Sequence, residues 1–173
     1  YVLIEFADKI QIGGFNLVAR SDTDCVLAKR TPDDGAIEWN WALAIGDEGS
    51  LSNPTKLGDL QVSKSTNAFY VSVESKGSVL GTVSTTRANF QFKGDTANGE
   101  IIWRTPAPQG SSPGRHLLAV GQNEVYSIGT QGPNSGYNGV TCTPPFTELT
   151  GAAVLTVRNL DGLVVDPIRS IVA

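Results

Sequence analysis

The chain has 173 residues, 40% of them hydrophobic and 17% charged, which is enough apolar material for one folded domain spanning residues 1–173. The net charge is −4, and the sequence has one histidine, two cysteines and no apolar run of about 18 residues. These features argue against nucleic-acid binding, a zinc site, a disulfide-dense scaffold and a membrane-spanning helix.

Short β-branched and aromatic segments follow one another along the chain, separated by scattered glycines and prolines. Apolar and polar residues alternate from Phe69 to Glu74, the pattern of a strand with one buried face. The other predicted strands are, in chain order, 2–6, 17–19, 26–28, 38–43, 79–83, 90–92, 100–103, 117–120, 125–128, 154–157 and 163–165. About twelve short strands without an amphipathic helical stretch predict an all-β domain.

Three segments share a further pattern, in which an apolar strand, a polar turn and a second strand form a hairpin. These predicted hairpins pair residues 15–19 with 25–28, 69–73 with 78–81, and 116–120 with 124–127. They begin about fifty residues apart and divide the chain into near-thirds. A β-sandwich would not require this threefold spacing. We therefore predict a β-trefoil, a six-stranded barrel capped by three hairpins.

Few side chains are suited to catalysis. A Ser-His-Asp triad would depend on His116, which we expect to be a surface residue at the start of a strand, and no Gly-x-Ser-x-Gly motif is present. Three acidic pairs lack the ligand pattern of an EF-hand and are more typical of turns. They are Asp22/Asp24, Asp33/Asp34 and Asp47/Glu48. We expect neither an enzyme nor a bound metal or cofactor.

The two cysteines leave two interpretations open. Cys25 and Cys142 could form one disulfide across a long loop, or Cys25 could be a buried thiol, because it lies in the apolar stretch 25–28. The chain starts at Tyr1 without an initiator methionine, which favours a processed protein. We therefore expect a secreted or stored protein.

Both ends of the chain resemble the Kunitz family of plant protease inhibitors, the family of the soybean trypsin inhibitor. The matching residues are Val2-Leu3, Ile10, Gly13-Gly14 and Phe15 near the start, and 154–157, a polar turn and 163–165 near the end. The cysteine pattern departs from that family, because Cys142 has no second cysteine nearby and Cys25 has no evident partner at the usual separation. The resemblance implies a β-trefoil and inhibition of a serine protease.

The family's inhibitory loop is exposed, extended and rigid, and it follows the Gly-Gly pair by a little under fifty residues. Counting from Gly14 leads to residues 61–66. The resemblance thus assigns the inhibitory loop to Ser63, Lys64, Ser65 and Thr66. Lys64 would enter the acidic specificity pocket of a trypsin-like protease, and Ser65 would follow the target bond. A Pro-rich loop at 105–114, flanked by Arg104 and Arg115, is a secondary candidate.

Carbohydrate binding by a β-trefoil lectin is the alternative function. Sugar sites pair an aromatic face with Asp or Asn side chains. The candidate groups are Trp39 and Trp41 beside Asp33 and Asp34, and Tyr137 beside Asn134 and Asn138. Strand alternation would instead place Trp39 or Trp41 in the core. The expected partner is a target protease or, alternatively, a carbohydrate, with no nucleic acid and no membrane.

Overall fold

The computed structural model describes residues 1–32, 37–46, 53–105, 116–131, 136–137, 140–141 and 152–171. These residues form β-strands and no helix, which confirms the predicted all-β class. The strands are β1 (Val2–Phe6), β2 (Lys9–Ile12), β3 (Phe15–Val18), β4 (Asp24–Pro32), β5 (Ile37–Ile45), β6 (Lys56–Ser63), β7 (Ala68–Val79), β8 (Thr82–Asp95), β9 (Ile101–Arg104), β10 (Leu117–Val120), β11 (Glu124–Gln131), β12 (Gly136–Tyr137), β13 (Val140–Thr141), β14 (Ala152–Asn159) and β15 (Val164–Ile171). A helix able to span a membrane is not found in the described ranges.

Three antiparallel sheets contain most of the strands. The first sheet has the order β1-β4-β5, the second β6-β7-β8-β9 and the third β10-β11-β14-β15. Two separate hairpins pair β2 with β3 and β12 with β13. The second sheet connects consecutive strands, as a meander does, whereas in the third sheet β11 pairs with β14 across the intervening β12–β13 hairpin. Within the described part of the chain the strands form no closed barrel, and the β-trefoil stays a prediction.

The structure confirms one of the three predicted hairpins. Strands β10 and β11 pair across residues 121–123, as expected. The first hairpin is wrong, because β3 pairs with β2 while β4 pairs with β1 and β5. The second is wrong because the expected turn near Gly77 is a bulge inside β7, and the chain turns at Leu80 and Gly81 instead. Both turn residues have positive φ, 47° and 74°, as a two-residue type I′ turn requires.

The second sheet lies between the other two and is buried on both faces. Every residue of β7 from Ala68 to Ser75 is buried. The apolar core between the first and second sheets consists of Cys25, Leu27, Trp41, Ile45, Phe69, Val71, Val73, Val79, Ala88, Phe90 and Phe92. Tyr70 and Ala68, which alternate with these residues along β7, pack with Leu118 and Val125 of the third sheet. Each fully buried large apolar side chain contributes about 1.5–3 kcal/mol.

The β2–β3 hairpin covers part of the outer face of the first sheet. Ile12 of the hairpin is buried with Phe6, Val26 and Ala28, and Leu17 packs against the same cluster. The hairpin turns at Gly13, whose φ of 58° is in the left-handed region that favours glycine. The Gly13-Gly14 pair is therefore a turn signal, whichever family it resembles.

At two places a tryptophan from the last strand of one sheet packs on a turn glycine of the next sheet. Trp41 of β5 lies on Gly99, and Trp103 of β9 lies on Gly162. A Cβ at these glycines would be 2.9 and 2.8 Å from the indole ring, and both glycines have positive φ. Each indole N–H also donates to a carbonyl of that turn, at 3.3 and 2.9 Å. The two contacts couple the three sheets in series.

Candidate functional site

The four residues assigned to the inhibitory loop lie together at the tip of the β6–β7 hairpin. Ser63 ends β6, and residues 64–67 form the turn to β7. Lys64 and Ser65 are exposed, whereas Ser63 and Thr66 are half-buried. Asn67 closes the turn, since its N–H lies 3.5 Å from the Lys64 carbonyl and its φ is 48°, a conformation that asparagine tolerates.

The shape of this segment differs from the extended loop that the sequence predicts. The Lys64–Ser65 peptide bond lies inside a closed four-residue turn. The hydroxyls of Ser63 and Ser65 lie 3.0 Å apart, which adds a link across the start of the turn. A protease that bound Lys64 would have to open the turn before the backbone became extended.

Lys64 presents its charge to solvent. Among the described residues, no carboxylate forms an ion pair with Lys64, in contrast to Arg87, which pairs with Glu74 at 2.9 Å. Lys64 is therefore available to an acidic recess on a partner without the loss of an internal ion pair.

The turn is braced by the neighbouring turn between β8 and β9. The Asn67 carbonyl accepts two hydrogen bonds from Thr96, one from the backbone N–H at 3.0 Å and one from the hydroxyl at 2.9 Å. The brace comes from a residue 29 positions away in the chain. Counting along the sequence identifies the exposed lysine but gives no signal for this support.

The other predicted binding groups have mixed outcomes. Trp41 is 7% exposed and belongs to the core, the outcome that strand alternation favoured for one of the two tryptophans. Arg104 donates to the Leu80 carbonyl at 2.5 Å. The rest of the Pro-rich loop, residues 106–115, lies outside the described residues, as do Asp33, Asp34, Asn134 and Asn138 and the side chains of Trp39 and Tyr137.

His116 is buried, so its predicted surface position is wrong. It is 4% exposed, and its ring lies against Gly129, where a Cβ would be only 2.1 Å from the ring. Its Nδ1 lies 3.5 Å from Nε2 of Gln91, and its carbonyl accepts from the Ser72 hydroxyl at 2.6 Å. His116 therefore belongs to a polar layer between the second and third sheets. The sequence does not predict this layer, because the polar residues of an alternating strand are expected to face solvent.

Of the three acidic pairs, Asp22/Asp24 lies within the described residues, and Asp24 of this pair is bonded within a turn. Asp24 is fully buried and accepts hydrogen bonds from the Arg20 N–H at 2.8 Å and the Ser21 hydroxyl at 2.6 Å. In the described ranges no three His, Cys, Asp or Glu side chains are grouped to hold a metal ion. Asp24 thus has the turn role that such pairs usually have.

Cys25 is a free, fully buried thiol, which supports the second of its two interpretations. Its Sγ lies 3.8 Å from the Thr55 carbonyl. Burial raises the pKa of the thiol, and the nearby Glu5 and Asp24 carboxylates raise it further. Cys25 therefore stays protonated and unreactive while the protein is folded. Cys142 lies outside the described residues.

An open apolar face lies on the outer side of the third sheet. A shallow cavity of about 200 Å³ is lined by Leu117, Leu118, Ala119, Tyr126, Ile128 and Leu155. Tyr126 is 36% exposed, and its hydroxyl donates to the Glu124 carboxylate. This hydrogen bond raises the pKa of Tyr126. The face thus combines an exposed aromatic ring with a carboxylate.

Comparison with family models, with curated proteins and with solved structures found no match to this chain. The Kunitz resemblance stays a prediction based on the residues that carry it.

Proposed function

We propose that this chain is a non-catalytic binding protein that inhibits a serine protease by presenting Lys64 at a rigid turn. The observation that carries the proposal is an exposed lysine at the tip of a closed turn, braced by two hydrogen bonds from a neighbouring turn. Such a role is consistent with a secreted or stored protein.

Two properties of the Lys64 turn favour binding to a trypsin-like protease. A trypsin-like specificity pocket is acidic, and a lysine that is exposed at a hairpin tip and has no ion pair among the described residues is a suitable occupant. The closed turn also holds the Lys64 backbone in one conformation, so insertion of the side chain alone costs less conformational entropy than it would from a flexible loop. Since the Lys64–Ser65 bond lies in a closed turn, we expect slow cleavage after Lys64 is bound. These properties together favour a long-lived complex.

The proposal does not depend on the β-trefoil. What supports the predicted threefold division is the grouping of strands into three sheets that begin with β1, β6 and β10. These sheets differ from a hairpin-capped barrel, because within the described residues they form no closed barrel. The proposal requires only a rigid all-β scaffold that holds the turn.

The test is titration of trypsin activity with the wild-type protein and two lysine variants. We expect stoichiometric inhibition by wild type and a loss of affinity of about 30-fold or more for Lys64→Ala, because the charge pair buried in the complex is lost. Lys76→Ala is the matched control, since Lys76 is also exposed but lies in the bulged part of β7 away from the tip. Absence of inhibition by wild type, or equal inhibition by Lys64→Ala, would overturn the proposal.

Carbohydrate binding is a second candidate, favoured by the exposed Tyr126 and its hydrogen-bonded Glu124 on the third sheet. An aromatic ring can stack on a sugar face while the carboxylate accepts from hydroxyl groups. The test is binding to a glycan panel, with Tyr126→Ala compared with Tyr1→Ala. Tyr1 is similarly exposed at 39% but lies elsewhere on the surface. Binding that is insensitive to Tyr126→Ala would reject this site.

A further inference from the structure

The last residue of the Lys64 turn, Asn67, is hydrogen-bonded to the neighbouring β8–β9 turn. The Asn67 carbonyl at the end of the turn accepts both hydrogen bonds that Thr96 can donate, from its N–H at 3.0 Å and from its hydroxyl at 2.9 Å. Asn67 has a positive φ of 48°, so the chain reverses at this carbonyl. A loss of these bonds would free the end of the turn while leaving the paired strands in register.

Thr96 is itself hydrogen-bonded to two aromatic side chains. Its carbonyl accepts from the Trp41 indole N–H at 3.3 Å and from the Tyr1 hydroxyl at 3.4 Å. Trp41 is 7% exposed and packs against Phe69 with ring centroids 5.5 Å apart. A continuous set of contacts therefore runs from the core through Trp41 and Thr96 to the turn that carries Lys64.

We propose that Thr96 is a positioning residue for Lys64. The Thr96 hydroxyl keeps the 64–67 turn closed. This inference rests on the proposed inhibitory function, which it deepens by naming what makes the turn rigid. Thr96 does not touch a bound protease in this mechanism; it acts through Asn67. Its contribution is to limit the opening that cleavage of the Lys64–Ser65 bond requires.

The variant Thr96→Val isolates the hydroxyl. Valine keeps the branched shape and the backbone N–H bond to Asn67, but it cannot donate from its side chain. Thr96→Ser restores a hydroxyl donor and is the conservative rescue. Thr82→Val, in the first position of β8 at the other end of the second sheet, is the matched control for adding a valine.

The experiment measures the rate at which dilute trypsin cuts the Lys64–Ser65 bond, followed by the masses of fragments 1–64 and 65–173. Cleavage after Lys76 in the same sample is the internal reference, because general loosening of the fold would accelerate both cuts. We expect Thr96→Val to raise the ratio of the two rates about three- to tenfold, as loss of one hydrogen bond implies. Thr96→Ser and Thr82→Val should leave the ratio within about twofold of wild type.

An unchanged ratio in Thr96→Val, or an equal rise at both bonds, would overturn the inference. The outcome is separable from that of the proposed function. If wild type fails to inhibit trypsin but Thr96→Val still accelerates the Lys64 cut selectively, the positioning role stands and the inhibitory function fails. If wild type inhibits and the ratio does not change, the inhibitory function stands and the positioning role fails.

Discussion

The second sheet makes two interfaces that differ in chemistry. Towards the first sheet it presents apolar side chains that are at most 1% exposed, including Phe69, Val71 and Phe90. Towards the third sheet it presents Tyr70 beside a polar layer that contains Ser72, Asn89, Gln91 and the facing His116. The same two strands therefore pack by dry apolar contact on one side and by mixed contact on the other.

The difference shows that one interface can supply most of the stabilisation while another sets the position of a strand. Apolar packing gains free energy in proportion to buried area but is weakly directional. The mixed interface contains directional bonds, since the Asp59 carboxylate accepts from the Leu118 N–H at 2.8 Å and Ser72 donates to the His116 carbonyl at 2.6 Å. Gly58 makes this geometry possible, because a Cβ there would be 2.2 Å from the Ser72 hydroxyl. We infer that the first interface supplies more stability and the second fixes the position of β10.

The largest expected effect is on the apolar interface. Phe90→Ala should lower the free energy of unfolding by about 3–5 kcal/mol, because Phe90 is fully buried and its removal leaves a cavity. Chemical denaturation measures the change. Phe90→Leu, which keeps most of the volume, should cost less, and a loss below about 1 kcal/mol for the alanine variant would contradict a tightly packed interface.

An intermediate effect is expected where the mixed interface fixes β10. Asp59→Ala should destabilise by about 1–3 kcal/mol, because the N–H groups of Leu60 and Leu118 lose their acceptor. Asp59→Asn retains one carbonyl oxygen and should lose less. Equal losses for the two variants, measured by denaturation, would show that the acceptor geometry is not what holds β10.

The two tryptophan contacts provide a matched pair across the two interfaces. Replacing either ring with phenylalanine removes an indole N–H bond, which contributes about 1 kcal/mol. Trp41→Phe should cost about 1–2 kcal/mol and Trp103→Phe about 1 kcal/mol, because Trp41 is buried and Trp103 is only half-buried. The double variant should be additive within about 0.5 kcal/mol, since the rings lie in different interfaces. A reversed order would refute the ranking of the interfaces.

The smallest effect is expected beside Phe90, on the opposite face of β8. Gln91→Leu should change the free energy of unfolding by less than about 1 kcal/mol, because the amide makes only long contacts of 3.4 and 3.5 Å and its Oε1 has no partner among the described residues. A loss as large as that of Phe90→Ala would show that the polar layer supplies as much stability as the apolar core.

The sequence predicts most strands but not how they pair. Alternation identifies the strand at Phe69, and two apolar segments around a polar turn indicate the third hairpin, because local periodicity and turn residues determine both. The closing pair β14–β15 is expected from the Kunitz resemblance. The pairing of β4 with β1 and β5 is not encoded locally, so the first predicted hairpin is wrong. Gly77 resembles a turn residue but lies in a bulge of a long strand.

The candidate site is also predictable only in part. The Kunitz resemblance leads to Lys64 by counting from Gly14, and the structure places this lysine at an exposed turn. Its brace by Thr96 depends on a second turn brought close by folding. The burial of His116 depends on a facing sheet, which local alternation does not reveal.

The tryptophan contacts on Gly99 and Gly162 lie at the two interfaces through which neighbouring sheets stabilise each other. Among the described residues the first sheet packs on the second and the second on the third, so we expect the stability to behave as three sheet terms and two coupling terms, as in a short repeat array. The second sheet is protected from both sides and should be the last to open, whereas the first and third can open from the ends. The cooperativity of unfolding therefore depends on two successive interfaces, each with one indole ring at its edge, rather than on one shared centre.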